Sequence, residues 1–170
     1  MRRRPAVARR GTGWWDMRRD DTCPRAAAAY SGTMESAEIE VVTGEHPAVH
    51  DLTAECERFL DQVAAGRDGL LNVFVPHATA GTAVLELGSG SDDDLLAALQ
   101  RLLPTDDRWR HRHGAPGHDA DHVLPAIVAP SVTIPVIGGA MTLGTWQSVA
   151  LVDTNRGNPR RRVRLSFLAG

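Results

Sequence analysis

The chain has 170 residues, which is enough for one ordinary domain but too short for two full ones. Its content of 42% apolar and 24% charged residues, with a net charge of -2, is typical of a globular protein and excludes a disordered or fibrous chain. No apolar run approaches the roughly 18 residues of a membrane-spanning helix, because the longest, 70–75 and 123–130, have the length of strands.

Residues 1–33 are basic, with eight arginines and three aspartates, whereas the remainder has eleven arginines and eighteen acidic residues. This segment has no apolar periodicity, and its run 26–30 is too short for the core of a signal peptide. Trp14 and Trp15 beside arginines would suit nucleic acid or anionic lipid, but acidic residues follow at once. We therefore predict a disordered basic extension over 1–33, with Met34 as a candidate true start, a single domain over 34–170, and neither a nucleic-acid nor a membrane partner.

The first half of the domain has clear periodic patterns. Alternation over 38–41 predicts a strand, and apolar residues spaced by three and four predict an amphipathic helix over 47–66. Strands are expected over 70–75 and 79–87. A second helix is expected over 91–103, because Ser91 can cap it, aspartates occupy its first turn and a proline follows it.

The second half begins with a polar segment, 105–121, whose length is typical of functional or disordered loops. Three strands follow, over 132–137, 141–152 and 162–168. A Gly138-Gly139 hairpin turn separates the first two, and a turn over 153–159 separates the last two. Hairpins outnumber long crossovers, so the pattern predicts a mainly antiparallel α+β domain. Cys23 and Cys56 lie in dissimilar regions, which argues against a disulfide framework and a cysteine zinc site and favours a reducing cytoplasm.

Four of the seven histidines lie within twelve positions, in the polar segment or directly after it: His111, His113, His118 and His122. Neutral imidazole is a common ligand of zinc and other transition metals, so both pairs could converge on one ion if the loop folds back. A solvated surface loop is the alternative. Spacing does not decide between them, because residues two apart share a side in a strand but not in a helix.

His77 lies in the sequence PHATAG between two apolar strands, with the hydroxyls of Thr79 and Thr82 nearby. Its imidazole could act as a base, a metal ligand or a phosphate contact, or it could be a structural hydrogen-bonding group. Glu86 follows in an apolar run, as either a carboxylate that orients an imidazole or an outward-facing strand residue.

The sequence LGTWQ at 143–147 lies within a predicted strand. Gly144 there indicates either a structural bulge or room for a ligand that Gln147 would bind, and Trp146 adds a flat apolar surface. The arginines at 160–162 and 164 match phosphate oxygens, but they also suit a solvated sheet edge that resists aggregation.

Five segments together resemble the YjbQ-like family, which is commonly labelled the secondary thiamine-phosphate synthase enzyme family. The likeness spans 34–170, and LGTWQ is its most specific piece. The segments are PHATAG with Glu86, the interval from His111 to His122, SVTIPV at 131–136, LGTWQSVALVD at 143–153, and RRRVRLSF at 160–167.

The resemblance implies an α+β fold, mainly an antiparallel β-sandwich with two or three helices, assembled as a homotrimer with clefts near the subunit boundaries. It also singles out His111, rather than His113 or His118, as the partner of His122. The polar residues of the family correspond here to His77, Thr79, Glu86, His111, His122, Thr145, Trp146 and Gln147.

The family label implies that hydroxymethylpyrimidine diphosphate is joined to a thiazole phosphate. We expect this synthase-type activity to be weak, because the cleft offers imidazoles rather than the carboxylates that hold Mg²⁺. The expected catalytic residues are His77, Glu86, His111 and His122. The expected contacts to a small phosphorylated substrate are Thr79, Thr82, Gly144, Thr145, Trp146, Gln147 and Arg162.

Two further functions remain open. In the first, the protein is a metal-dependent hydrolase or lyase in which His77, His111 and His122 hold a divalent ion, zinc or magnesium, with water at an open position. In the second, it is a ligand-binding trimer without turnover.

Overall fold

The computed structural model describes residues 33–106, 108–111, 118–154 and 157–170, so most of the predicted basic extension, and His113, lie outside the described residues. The strands are β1 (Met34–Val42), β2 (Ala48–Asp51), β3 (Gly69–Phe74), β4 (Ala80–Leu85), β5 (Ser131–Ile137), β6 (Ala140–Met141), β7 (Ser148–Asp153) and β8 (Arg160–Ala169). The helices are α1 (Thr53–Val63), α2 (Ser91–Leu102) and a 3-10 helix (Asp119–Ala126). None of the described helices is long and apolar enough to cross a membrane.

The strands form two antiparallel sheets, which confirms the predicted α+β class. A five-stranded sheet has the order β1-β8-β3-β5-β6, and a three-stranded sheet has the order β2-β7-β4. The longest pairing joins β1 to β8 over nine residue pairs, from Met34 opposite Leu168 to Val42 opposite Arg160.

The main core lies between the two sheets and is closed by α1. Along β8 the buried residues Val163, Leu165 and Phe167 alternate with exposed ones, as expected for a strand with one face covered. Helix α1 adds a buried stripe that includes Cys56 and Leu60, which are four residues apart. Burial, reinforced by neighbouring carboxylates, raises the pKa of the Cys56 thiol to about 12, so this cysteine is an unreactive core residue.

A second, smaller core covers the outer face of the three-stranded sheet. Leu99 of α2 and Leu124 of the 3-10 helix pack there with Val152 of β7. Gly81 in β4 allows this close approach, because a Cβ atom at that position would lie 2.3 Å from the carbonyl oxygen of Val128. The chain directly after the 3-10 helix is therefore held tightly against β4.

The predicted helix over 47–66 is wrong at its start, because residues 48–51 form β2 and pair with β7. The helix begins only after this strand, where the Thr53 amide donates to Asp51 Oδ1 at 2.8 Å. The physical reason is that these residues form backbone hydrogen bonds with β7, although their local spacing also fits a helix.

The predicted strand over 141–152 is also interrupted. Residue Met141 ends β6 in the five-stranded sheet, and Ser148 begins β7 in the three-stranded sheet, so the chain changes sheets through LGTWQ. Two hydrogen bonds make this segment a turn: Gly144 N donates to Gln147 Oε1 at 2.8 Å, and Gln147 N donates to Gly144 O at 2.9 Å. Similarly, part of the strand-sized run 123–130 belongs to the 3-10 helix.

His50 carries an unsatisfied polar atom beside the main core. It lies opposite the fully buried Leu151, and its Nε2 is buried without a hydrogen-bond partner among the described residues. We expect His50→Leu to raise the free energy of unfolding by about 1 kcal/mol, because it removes the desolvation cost of that nitrogen. Urea denaturation would measure the gain, His50→Asn should give none, and a destabilised leucine variant would contradict the prediction.

Candidate functional site

A buried ion pair links the two sheets at one end of the molecule. Arg161 of β8 donates from Nε to Asp153 Oδ2 at 2.7 Å and from Nη2 to Oδ1 at 2.9 Å. The side chains are 2% and 1% exposed, respectively, so the pair is almost fully shielded from water. Two parallel hydrogen bonds of this kind hold both groups in a single geometry.

His77 lies against the start of β8, next to this ion pair. Strand β3 pairs with β8 only as far as Phe74 opposite Arg164, and the chain then diverges at Pro76. Beyond that point the His77 imidazole replaces β3 as the hydrogen-bond acceptor for β8, because its Nε2 accepts the Arg162 backbone N–H at 2.9 Å. His77 thereby satisfies a main-chain donor that β3 does not reach.

The surroundings of His77 favour its neutral form. Both ring nitrogens face donors, since Nε2 accepts the Arg162 N–H and Nδ1 lies 3.4 Å from Arg161 Nη1, and a doubly protonated ring accepts from neither. Burial lowers the pKa of His77, and the charges of Arg161 and Arg162 lower it further, against the weaker opposite effects of Asp153 and Glu38. A ring held in this way is poorly placed to bind a cation in its own chain.

The lowered pKa of His77 predicts a pH-dependent stability. The unfolded chain binds this proton near pH 6.5 and the folded chain only at lower pH, so the free energy of unfolding should fall as pH drops below about 6.5. In His77→Gln the amide oxygen can still accept from Arg162 but does not titrate, so the decline between about pH 7 and 5 should be smaller. Urea denaturation across that range checks this, and equal declines would contradict it.

Three histidine rings come together at the 3-10 helix. The ring centroids of His111 and His122 are 4.3 Å apart, and those of His118 and His122 are 4.7 Å apart. The Nε2 atoms of His118 and His122 lie 2.9 Å from each other, within hydrogen-bond distance. His111 and His122 thus lie side by side, and His118 joins them.

A hydrogen bond connects this cluster to the end of the three-stranded sheet that holds the ion pair. Asp121, the buried residue before His122, accepts from Thr154 Oγ1 at 2.7 Å. Thr154 directly follows Asp153, the partner of Arg161. The end of β7 therefore supports the histidine cluster through Asp121 and the surroundings of His77 through Arg161.

The predicted metal set of His77, His111 and His122 is not assembled within one chain. Across the described ranges, no three His, Cys, Asp or Glu side chains are arranged as a set of metal ligands. His77 is kept out of this set because it lies against two arginines of β8, whereas the rings of His111 and His122 lie together at the 3-10 helix.

Three predicted residues lie before, within and after β4. Thr79 is buried directly before the strand, and Thr82 Oγ1 donates to the carbonyl oxygen of Ala129 at 3.1 Å. Glu86 is exposed after the strand and accepts from Ser89 Oγ at 2.9 Å. Because six strand residues span about 20 Å, Glu86 does not reach His77 of its own chain.

The remaining predicted contacts are exposed. Gly144, Thr145, Trp146 and Gln147 form the turn between the sheets, and the Trp146 side chain is 73% exposed. Arg162 projects outward and lies 3.5 Å from the carboxylate of Glu38. These groups are accessible, and Arg162 is hydrogen-bonded through its amide to His77, one of the predicted catalytic residues.

The buried ion pair was missed at the level of sequence, although a signal for it exists. The arginines near the C-terminus looked like one solvated or phosphate-binding block. Extending the alternation of Val163 and Leu165 back by two residues places Arg161 on the buried face. Asp153 likewise ends a run of buried residues in β7, and a buried arginine requires such a partner.

Comparisons with known proteins agree with this architecture. The family model described as UPF0047 protein YjbQ-like matches residues 37–170. UPF0047 protein Rv2556c of Mycobacterium tuberculosis is 58% identical over 137 residues, which cover 81% of this chain and 100% of that protein.

Solved structures share the fold. The hypothetical protein APE1520 from Aeropyrum pernix K1 is 32% identical with a TM-score of 0.73, covering 80% of this chain and 99% of that one. A YbjQ-like protein of unknown function from Sulfolobus solfataricus P2 has a TM-score of 0.76 at 22% identity, with 82% and 99% coverage, and shows the fold alone. The resemblance noted in the sequence is confirmed, and the chain belongs to the YjbQ-like UPF0047 family.

Proposed function

We propose that this protein is an enzyme that acts on a phosphorylated small molecule by imidazole acid-base catalysis, with a weak thiamine-phosphate synthase-type activity. The observation that carries the proposal is the cluster of His111, His118 and His122, supported by the buried Asp121. Imidazole is the side chain whose ordinary pKa suits proton transfer near neutral pH. The family resemblance supplies the substrate class.

In the synthase-type reaction, the methylene carbon of hydroxymethylpyrimidine diphosphate bonds to the thiazole nitrogen. Its bond to the diphosphate oxygen breaks, and the electron pair leaves with pyrophosphate. We assign His122 as the acid that protonates this oxygen and His111 as its catalytic neighbour. Arg162 would contact a phosphate, since guanidinium matches phosphate oxygens, and His77 would position Arg162 through its main-chain amide.

The activity should be slow for a chemical reason. Diphosphate leaving groups are usually neutralised by Mg²⁺ held on carboxylates, and among the described residues no three His, Cys, Asp or Glu side chains are placed to hold one ion. A proton and one or two guanidinium groups supply only part of the positive charge that Mg²⁺ would bring to the leaving group.

The predicted homotrimer is supported by an exposed apolar row on the outer face of the five-stranded sheet. Met34, Leu168 and Leu70 are neighbours across β1, β8 and β3, and are 67%, 39% and 44% exposed. Contiguous apolar surface is typical of protein interfaces. In a trimer, the exposed turn that carries Trp146 would be available to the cleft of a neighbouring copy, where its indole could stack on a heteroaromatic substrate.

The proposal is tested by incubating the purified full chain with hydroxymethylpyrimidine diphosphate and thiazole phosphate. We expect thiamine phosphate and pyrophosphate to form in equal amounts, slowly but in proportion to protein concentration. Light scattering during gel filtration should give three times the chain mass of 18.4 kDa.

The synthase-type activity is rejected if product formation with saturating substrates equals that without protein. Substrate-dependent thermal stabilisation without product would favour the ligand-binding alternative. A variant with His46→Gln, which changes an exposed histidine outside the cluster, serves as the matched control and should retain activity.

A further inference from the structure

Two histidines that the resemblance does not pair are in direct contact. His118 and His122 are four residues apart, His118 precedes the 3-10 helix in right-handed helical geometry, and His122 lies within the helix. Their Nε2 atoms lie 2.9 Å apart.

This distance suits two ligands of one metal ion. An ion bound about 2.0–2.1 Å from each nitrogen would form an N–metal–N angle of about 90° across the observed separation. That angle corresponds to neighbouring positions in square-planar or octahedral coordination. Both rings are half-buried, and binding requires them to rotate until their two lone pairs point towards the ion.

The backbone beneath the two rings is held firmly. Ala120 and Leu124, on either side of His122, are buried in the second core. Asp121 is tied to Thr154 by a hydrogen bond of 2.7 Å. A chelate on such a support loses little conformational freedom when the ion binds.

We propose that His118 and His122 form a two-nitrogen chelate for a late first-row divalent ion such as Ni²⁺ or Cu²⁺, with the other coordination positions open to water. When the ion binds, the ring that donates in the His118–His122 contact moves its proton from Nε2 to Nδ1, so both Nε2 atoms become ligands and no proton is lost. This inference does not rest on the synthase-type reaction, because chelation requires no substrate. The open positions are what a metal-dependent hydrolase or lyase would need.

The chelate is tested on the full chain without an affinity tag by calorimetric titration with NiCl₂. We expect one high-affinity ion per chain, and we expect His118→Gln and His122→Gln each to weaken binding by at least about tenfold, since each removes one of the two ligands. Electron paramagnetic resonance with one equivalent of Cu²⁺ should show coupling to two ring nitrogens in the wild type and to one in His118→Gln.

The control variant is His46→Gln, which should bind nickel as the wild type does. Binding that differs less than twofold between the wild type and His118→Gln overturns the proposal, as does wild-type copper coupling in that variant. Thermal unfolding without metal separates loss of the site from loss of the fold, and His118→Gln is the decisive variant because His118 lies before the 3-10 helix.

Discussion

Arg161→Met is expected to lower the free energy of unfolding by about 3–5 kcal/mol. The substitution leaves the Asp153 carboxylate, whose side chain is 1% exposed, without the two charge-assisted hydrogen bonds that offset its burial. Asp153→Asn should be similarly destabilising, because it leaves the guanidinium buried beside a neutral group. Urea denaturation at about pH 7.5 measures both effects.

The adjacent residue provides a matched control. Arg160 pairs with Glu40, but both side chains are more than half exposed, so Arg160→Met should cost less than about 1 kcal/mol. A double variant, Asp153→Asn with Arg161→Met, should be less destabilised than the sum of its single variants, because no uncompensated charge remains. If Arg161→Met were as stable as Arg160→Met, the ion pair would not be the link between the sheets that its geometry indicates.

The parts of the fold that depend on local chemistry could be predicted from the sequence. Gly138 and Gly139 have φ angles of 59° and 85°, as a tight hairpin turn requires, and they join β5 to β6 as expected. Alternating residues likewise predicted most of β8. Such features need no knowledge of the rest of the chain.

The errors arose where distant partners decide the structure. Residues 48–51 have the spacing of a helix, yet they form β2 because β7 offers a complete set of backbone partners. The segment at 143–147 looks continuous with a strand, but the sequence does not indicate that β6 and β7 belong to different sheets. Long-range pairing of this kind competes with local preference and is invisible in a short window.

The candidate site shows the same division. The histidines of the polar loop are neighbours in sequence, so their proximity could be suspected, but the contact of His118 with His122 required the 3-10 helix to be known. The association of His77 with Arg162 joins two elements far apart in the chain. Glu86 is the opposite case: it is close to His77 in the sequence, but the whole of β4 separates the two residues in the structure.

His122→Asn is expected to lower the rate of the synthase-type reaction by about 10²–10⁴-fold, which is the usual contribution of a general acid or base. Within the described part of the chain, the ring of His122 contacts both His111 and His118, so its removal takes away the centre of the cluster. Asparagine retains polarity and occupies less volume than imidazole, but it does not exchange a proton near neutral pH. Single-turnover measurements with the two phosphorylated precursors would record the change separately from substrate binding.

Because His122 lies in the helix that covers β4, loss of activity is meaningful only in a folded protein. The melting temperature and oligomeric mass of His122→Asn must match those of the wild type, and His46→Asn should retain the wild-type rate. A folded His122→Asn protein with undiminished turnover would remove this residue from the chemistry. Its three-ring cluster would then be a binding or structural feature.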